Sequence, residues 1–266
     1  MERASGRWWL ETSRRFAARM THSFDAAEQI AADFMQVATK SDLDTVLSDI
    51  CTYLGCSYFA LTHHVDFMGS PGIGLRVHNY PDEWAHWFDT QRLGIHDPVH
   101  RASQRTASGF VWRDMGRLVT LAPGDKAVLA RARRHGIGDG LTVPAHVPGD
   151  AHGSCSFAWR KGEAPDARAL VFAQSIANFA FEAARRLHGP ADPPRRRLTD
   201  RQRECLLWAA RGKTDWEIGR IVGLRHLTVV EHIRNARARY DAATRAMLVV
   251  RALFDGTLHF SEIAER

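Results

Sequence analysis

Between Asn79 and Gln104 the sequence NYPDEWAHWFDTQRLGIHDPVHRASQ gathers tyrosine, tryptophan, aspartate and histidine, and FVW follows at 110–112. On a helix opening at Pro81, the residues Trp84, Trp87, Phe88 and Gln91 fall near one face, with Tyr80 at its mouth. Asp97 precedes Pro98, the pattern of an N-cap followed by proline in the first turn. Two uses fit these residues: an aromatic core with a capping Asp97, or a small-molecule pocket with apolar walls and a few convergent polar groups. Tyr, Trp and Asp carry polar atoms that need partners when buried, and several around one cavity favour a ligand that supplies the complement.

A second group lies near the C-terminus. A helix from about Leu227 to Tyr240 would bury Val229, Ile233, Ala236 and Tyr240 at spacings of four, three and four. Its other face then presents Val230, Glu231, Arg234, Asn235 and Arg237. In a DNA major groove Arg reads guanine, Asn reads adenine and apolar groups touch thymine methyls. Lys213, Thr214, Arg225, Thr228 and His232 flank this face as candidate phosphate contacts. A solvated basic helix bundle is the other reading of the same pattern.

Other chemistries lack their residues. His96 and His100 are four apart, but no Cys or His cluster completes a metal site at familiar spacings. His63 and His64 would point to opposite faces of a strand. The segment GSPGIG at 69–74 has no following Lys-Ser/Thr and reads as a loop between strands, not as a phosphate cradle. No G-x-S-x-G elbow surrounds Ser154 or Ser156, so a hydrolase is not expected. Neither an enzyme nor a bound cofactor or metal is expected. Cys51, Cys56, Cys155 and Cys205 form no CxxC pair and suit a reducing compartment, and no apolar run is long enough to span a membrane, so a cytoplasmic location is expected.

The elements that position these residues follow from punctuation and period. HGPADPPRRR at 188–197 breaks any helix and reads as an interdomain linker. Before it, Leu170, Phe172, Ala173, Ile176, Phe179, Ala180 and Ala183 mark one long helix from Pro165 to Leu187, with Gly189 just past its end. Helices are expected at 25–38, at 42–54 with Ser41 as cap, and at 82–91, 97–104 and 123–135. Strands are expected at 56–63, 73–79, 140–147 and 153–160. The fold class is therefore α+β: an N-terminal α-β-α sandwich on an antiparallel sheet, with an all-α C-terminal module. That module, 198–256, reads as four short helices, two of them opened by Thr199 and Thr214 and the second closed by Gly223. A tight Gly-containing turn between short helices is the helix-turn-helix signature. Charge follows the same division. Residues 195–266 hold 15 basic and 9 acidic side chains, whereas 1–194 hold 21 of each, so the whole excess of +6 sits in the module expected to meet phosphates.

The C-terminal stretch resembles the DNA-binding domain of LuxR-type regulators through LT at 198–199, the W-x-A-x-GKT run from Trp208 to Thr214, EIG at 217–219, and TV followed by His232. It differs at Gln202, where the family normally has Glu. Residues 25–185 resemble the autoinducer-binding domain of the same family through YP-x-x-W from Tyr80, DPV from Asp97, Trp112, and G-x-x-DG-x-TVP at 136–144. The resemblance implies that Trp84 donates its indole N–H to the lactone carbonyl of an acyl-homoserine lactone. It likewise implies that Asp97 accepts the ligand amide N–H, that Tyr80 bonds the acyl carbonyl with help from Ser156, and that Trp112 packs on the lactone ring. Phe88 stands where a second tyrosine is frequent, which makes the pocket more apolar.

The expected organisation is an N-terminal extension at 1–24, for which Met20 offers an alternative start, then an autoinducer-binding domain at 25–187, the linker at 188–197, and a helix-turn-helix domain at 198–260. The expected function is a quorum-sensing transcriptional regulator. It would bind an acyl-homoserine lactone or related amide, read a pseudo-palindromic operator as a homodimer paired partly through the fourth helix, and engage RNA polymerase. The alternatives are an orphan regulator answering a non-cognate ligand or none, and a mixed-dimer inhibitor of related regulators.

Overall fold

The computed structural model describes residues 25–68, 74–148, 150–188 and 198–264. The N-terminal extension with Met20, residues 69–73 of the glycine-rich loop, Gly189, and the linker from there to Arg197 lie outside the described residues. The chain divides into two compact units, one ending near residue 189 and the other built chiefly on residues 198–264.

In the first unit, helix α1 (25–36) is followed by α2 (Lys40–Leu54). Thr39, not Ser41, caps α2: its hydroxyl accepts from Asp42 N at 3.2 Å, while the Asp42 carboxylate returns to Thr39 N at 2.9 Å. Ser41 has the same local pattern with Asp44, but the reciprocal pair that forms is Thr39 with Asp42, which moves the start of α2 back by two residues. Strands β1 (Tyr58–His63), β2 (Arg76–His78), β3 (Phe110–Val111), β4 (Ile137–Ala145) and β5 (Gly153–Arg160) form one antiparallel sheet in the order β2-β1-β5-β4-β3. The strand expected at 73–79 is thus only three residues long where described, and β3 is an edge strand the sequence did not suggest. Between β2 and β3 lie α3 (Asp82–Thr90), α4 (Leu93–His96) and α5 (Pro98–Ser103); a 3-10 helix (Trp112–Arg117) and α6 (Pro123–Arg134) precede β4.

Alternation along the strands makes this a sandwich. Phe59 and Leu61 of β1, with Cys155 and Phe157 of β5, pack in one core with α2 and with α7 (Ala167–His188), whose Phe172, Ala173, Ile176, Ala180 and Phe181 are buried. The opposite sheet face packs elsewhere: Ile137 and Ala158 meet Trp84, Ala132 and the half-buried Tyr58, Tyr80 and Phe88. These two faces require every second strand residue to point toward α3, α5 and α6, and that face floors the site described below.

The second unit has the four expected helices, α8 (Asp200–Ala210), α9 (Asp215–Val222), α10 (His226–Arg239) and α11 (Arg245–Phe254), then a short α12 (Phe260–Ala264). Thr199 pairs reciprocally with Gln202, and Thr214 with Glu217, so the glutamine at 202 still closes its box. Gly223 ends α9 at φ +71°, a conformation glycine adopts without a Cβ clash, which lets the chain turn directly into α10. Leu206, Ala236, Tyr240, Leu248 and Ala252 form one core cluster; Cys205, Ile218, Val229 and Ile233 form a second. The Tyr240 hydroxyl donates to Asp255 Oδ2 at 2.8 Å, so this large buried ring keeps its polar end satisfied. Among the described residues no helix is long and apolar enough to cross a membrane.

Candidate functional site

A cavity enclosing about 760 Å³ of empty space, part of it open to solvent, lies between the sheet and the helices α3, α5 and α6. Tyr80, Trp84, Phe88, Asp97, Trp112 and Ser156, read from the sequence as ligand residues, all line it. They come from five places in the chain. Tyr80 precedes α3, Trp84 and Phe88 sit one turn apart on its inner face, Asp97 opens α5, Trp112 starts the 3-10 helix and Ser156 lies in β5.

Each polar group has a defined state. Asp97 is 6% exposed, and its Oδ1 accepts from Val99 N at 2.8 Å and His100 N at 3.1 Å, the N-cap of α5. Burial raises its pKa above the ordinary aspartate value, outweighing the positive influence of His100 and the two backbone N–H groups. Only one carboxylate oxygen is thus spoken for. Burial likewise pushes the Tyr80 phenol up, keeping it a neutral hydroxyl. Neither the Tyr80 hydroxyl nor the Trp84 indole N–H makes a hydrogen bond to another described residue. Trp112 is different: its indole N–H donates to Thr142 Oγ1 at 2.8 Å, and Thr142 Oγ1 lies 2.8 Å from Ser156 Oγ. This chain fixes the Trp112 ring against the floor, where Gly140 gives it room. A Cβ on Gly140 would stand 2.7 Å from the indole.

The cavity therefore offers a carboxylate oxygen, two free donors and the Ser156 hydroxyl among aromatic walls. That set can grip a neutral, largely apolar molecule carrying an amide N–H and carbonyl groups. Sequence reasoning missed Thr142, Thr62, Arg76, His78 and His100, as well as Val128, Leu129 and Ala132 of α6. The strand residues were findable from pairing: His78 opposes Ala60, which opposes Ser156, which opposes Thr142, one row across the sheet. The α6 residues depend on how that helix docks, which its own periodicity does not reveal. His96 is exposed whereas His100 is buried and donates its Nδ1–H to Gly94 O at 2.8 Å, so the two do not share a face. Among the described residues no group of three or more His, Cys, Asp or Glu could hold a metal ion.

In the second unit α10 buries Val229, Ile233 and Ala236 and leaves Val230, Glu231, Arg234 and Asn235 exposed. Glu231 organises that face: Oε1 accepts from Arg234 Nη2 at 2.6 Å and from Asn235 Nδ2 at 3.1 Å, and the Arg234 bond leads in holding its pKa below the ordinary glutamate value. Arg237 is half-buried, with Nε donating to Ala242 O at 3.1 Å and Nη2 to Ala243 O, so it ties the turn before α11. Thr214 donates to Glu217 Oε2 at 2.8 Å within its capping box. Arg225 and Thr228 are exposed at the start of α10, and Lys213 and His232 are half-buried.

The autoinducer binding domain family matches residues 14–184, and the family described as bacterial regulatory proteins, luxR family, matches 196–252. The chain is 32% identical over 191 residues to the HTH-type quorum sensing-dependent transcriptional regulator RpaR of Rhodopseudomonas palustris, covering 71% of this chain and 77% of that protein. It is 24% identical to the transcriptional activator protein LuxR of Aliivibrio fischeri over 89% of this chain and 96% of LuxR. The fold is shared with the crystal structure of Escherichia coli SdiA at TM-score 0.68 and 21% identity, over 88% of this chain and 98% of that one. SdiA in complex with octanoyl-rac-glycerol gives TM-score 0.69 at 22% identity, over 89% and 96%. RpaR and LuxR are transcriptional regulators, and the luxR family is one of regulatory proteins and not of enzymes. The chain belongs to the LuxR-type family, the autoinducer-binding, DNA-binding transcriptional regulators of quorum sensing.

Proposed function

We propose that the cavity binds an acyl-homoserine lactone or a related amide, and that the liganded protein, a cytoplasmic homodimer, reads a pseudo-palindromic operator and engages RNA polymerase. The observation that carries this reading is the convergence of Tyr80, Trp84, Asp97, Trp112 and Ser156 on one aromatic cavity. Asp97 Oδ2 accepts the ligand amide N–H while Oδ1 stays on the α5 backbone. The Trp84 indole donates to the lactone carbonyl, Tyr80 donates to the acyl carbonyl beside Ser156, and Trp112 and Phe88 cover the apolar parts. Ligand that binds the folded state alone stabilises it by mass action. In the second unit Arg234, Asn235 and Val230 meet base edges, Glu231 holds the first two in place, and Arg225, Thr228, Lys213, Thr214 and His232 lie along the phosphates. Arg237 contributes by shaping the turn after α10. The exposed Met247, Val250 and Phe254 on α11 support pairing of two chains through that helix.

A non-lactone ligand is the second reading, favoured by the acylglycerol in the SdiA complex. Melting of the full chain with a panel of acyl-homoserine lactones and an octanoylglycerol separates the two. At least one lactone raises the melting temperature on the first reading; a response to the acylglycerol alone supports the second.

A further inference from the structure

The contacts proposed above place the lactone ring where Trp84, Asp97 and Trp112 gather and the acyl carbonyl between Tyr80 and Ser156. The wall at the β2 edge carries polar groups that those contacts leave unused. In the sheet, Arg76 opposes Thr62 and His78 opposes Ala60, and β2 lies two strands from Ser156 on β5, roughly 10 Å at about 4.8 Å per strand. Arg76 lines the cavity, donates Nη1 to Asp89 and lies over the Phe67 ring at 4.7 Å. A guanidinium has several more N–H donors, and those of Arg76 make no further hydrogen bond to a described residue. Beside it, His78 lines the cavity and stacks on Tyr80 at 6.0 Å, and its Nδ1 is buried with no partner among the described residues. Burial first, and then the Arg76 charge, hold the His78 pKa below its ordinary value. The ring is therefore neutral near neutral pH, with one nitrogen to donate and one to accept.

A plain alkyl tail against this wall would exclude water from polar groups and return nothing to them. Elsewhere the same cavity is walled by Val128, Leu129 and Ile137, which suit such a tail. We propose that Arg76 and His78 are specificity-determining residues that select a signal whose acyl group carries an oxygen at its far end, a hydroxyl or carbonyl, over an unsubstituted chain of equal length. This selection rests on the lactone reading above.

The test is calorimetric titration of the full chain with two homoserine lactones of matched acyl length, one unsubstituted and one bearing a terminal hydroxyl. The hydroxylated ligand binds about tenfold more tightly to the wild type, the size expected of one hydrogen bond to a charged or buried partner. Arg76→Met and His78→Phe each shrink that ratio. Asp89→Asn loosens the ion pair but keeps Arg76 and preserves the ratio, which separates selection from a merely structural role and stands even if Arg76→Met fails to fold. Equal affinities in the wild type, or an unchanged ratio in His78→Phe together with a lost ratio in Asp89→Asn, overturn the selection. If neither lactone binds, the lactone reading falls and the selection with it.

Discussion

Asp97 does two things with two oxygens, and substitution can separate them. Asn caps helices as well as Asp does, so Asp97→Asn keeps an acceptor for Val99 N and His100 N, whereas Asp97→Ala loses the cap at a cost of about 1 kcal/mol. The charge acts in the opposite direction. Burial raises the Asp97 pKa above 3.8, so the folded state holds this proton more tightly than the unfolded state. Its contribution to stability is then fullest below the ordinary value and is lost as pH rises through the raised one. Above that raised pKa the ionised carboxylate thus detracts from the stability of the unliganded protein. Asp97→Asn should melt at or above the wild-type temperature without ligand, and Asp97→Ala below it. With ligand the wild type should melt above both variants, because neither keeps a carboxylate to accept the amide N–H. A hydrogen bond to a charged group is worth about 1.5–3 kcal/mol, or roughly tenfold to 150-fold in Kd. Thermal melts from acid to neutral pH and lactone titration of wild type and both variants measure the two effects. Asp97→Asn with wild-type lactone affinity, or as unstable as Asp97→Ala without ligand, would refute the division of labour.

Three further outcomes follow from the same geometry. Thr142→Val keeps the volume but strands the Trp112 N–H and the Ser156 hydroxyl; it should lower stability by about 1–3 kcal/mol, read as a lower melting temperature, and Ser156→Ala should add little on top of it. Glu231→Ala frees Arg234 and Asn235, so binding to random-sequence DNA should tighten while discrimination between operators falls, both measurable by fluorescence anisotropy. Arg237→Ala should destabilise the second unit by about 1 kcal/mol and weaken all operators alike, since its guanidinium is held by Ala242 and Ala243; loss at a single base pair would show it reading DNA.

Much of this was legible in the sequence where the cause is local. The starts of α5, α8 and α9 follow from Asp97-Pro98, Thr199 with Gln202, and Thr214 with Glu217, because capping is decided within four residues. The same rule does not settle the start of α2, because Thr39 with Asp42 and Ser41 with Asp44 share one local pattern and the fold uses the first. What was not legible is decided across the fold. Two residues of β3 carry no periodicity, and only pairing of Phe110 with Thr142 makes them a strand. Thr142, Arg76 and His78 join the cavity region through sheet register, a long-range property. Arg237 matches the pattern of a reading face, and that its side chain also reaches the carbonyls of the next turn follows from the turn's geometry and not from the pattern.

The central claim is that the aromatic cavity holds a neutral acyl signal gripped by Asp97, Trp84 and Tyr80. Mass spectrometry of small molecules extracted from the full chain, purified from a lactone-producing host, tests it most directly. An acyl-homoserine lactone recovered near one per chain, and lost in Asp97→Asn, is the predicted result. Folded protein that carries no such molecule, or that carries it equally in Asp97→Asn, would contradict it.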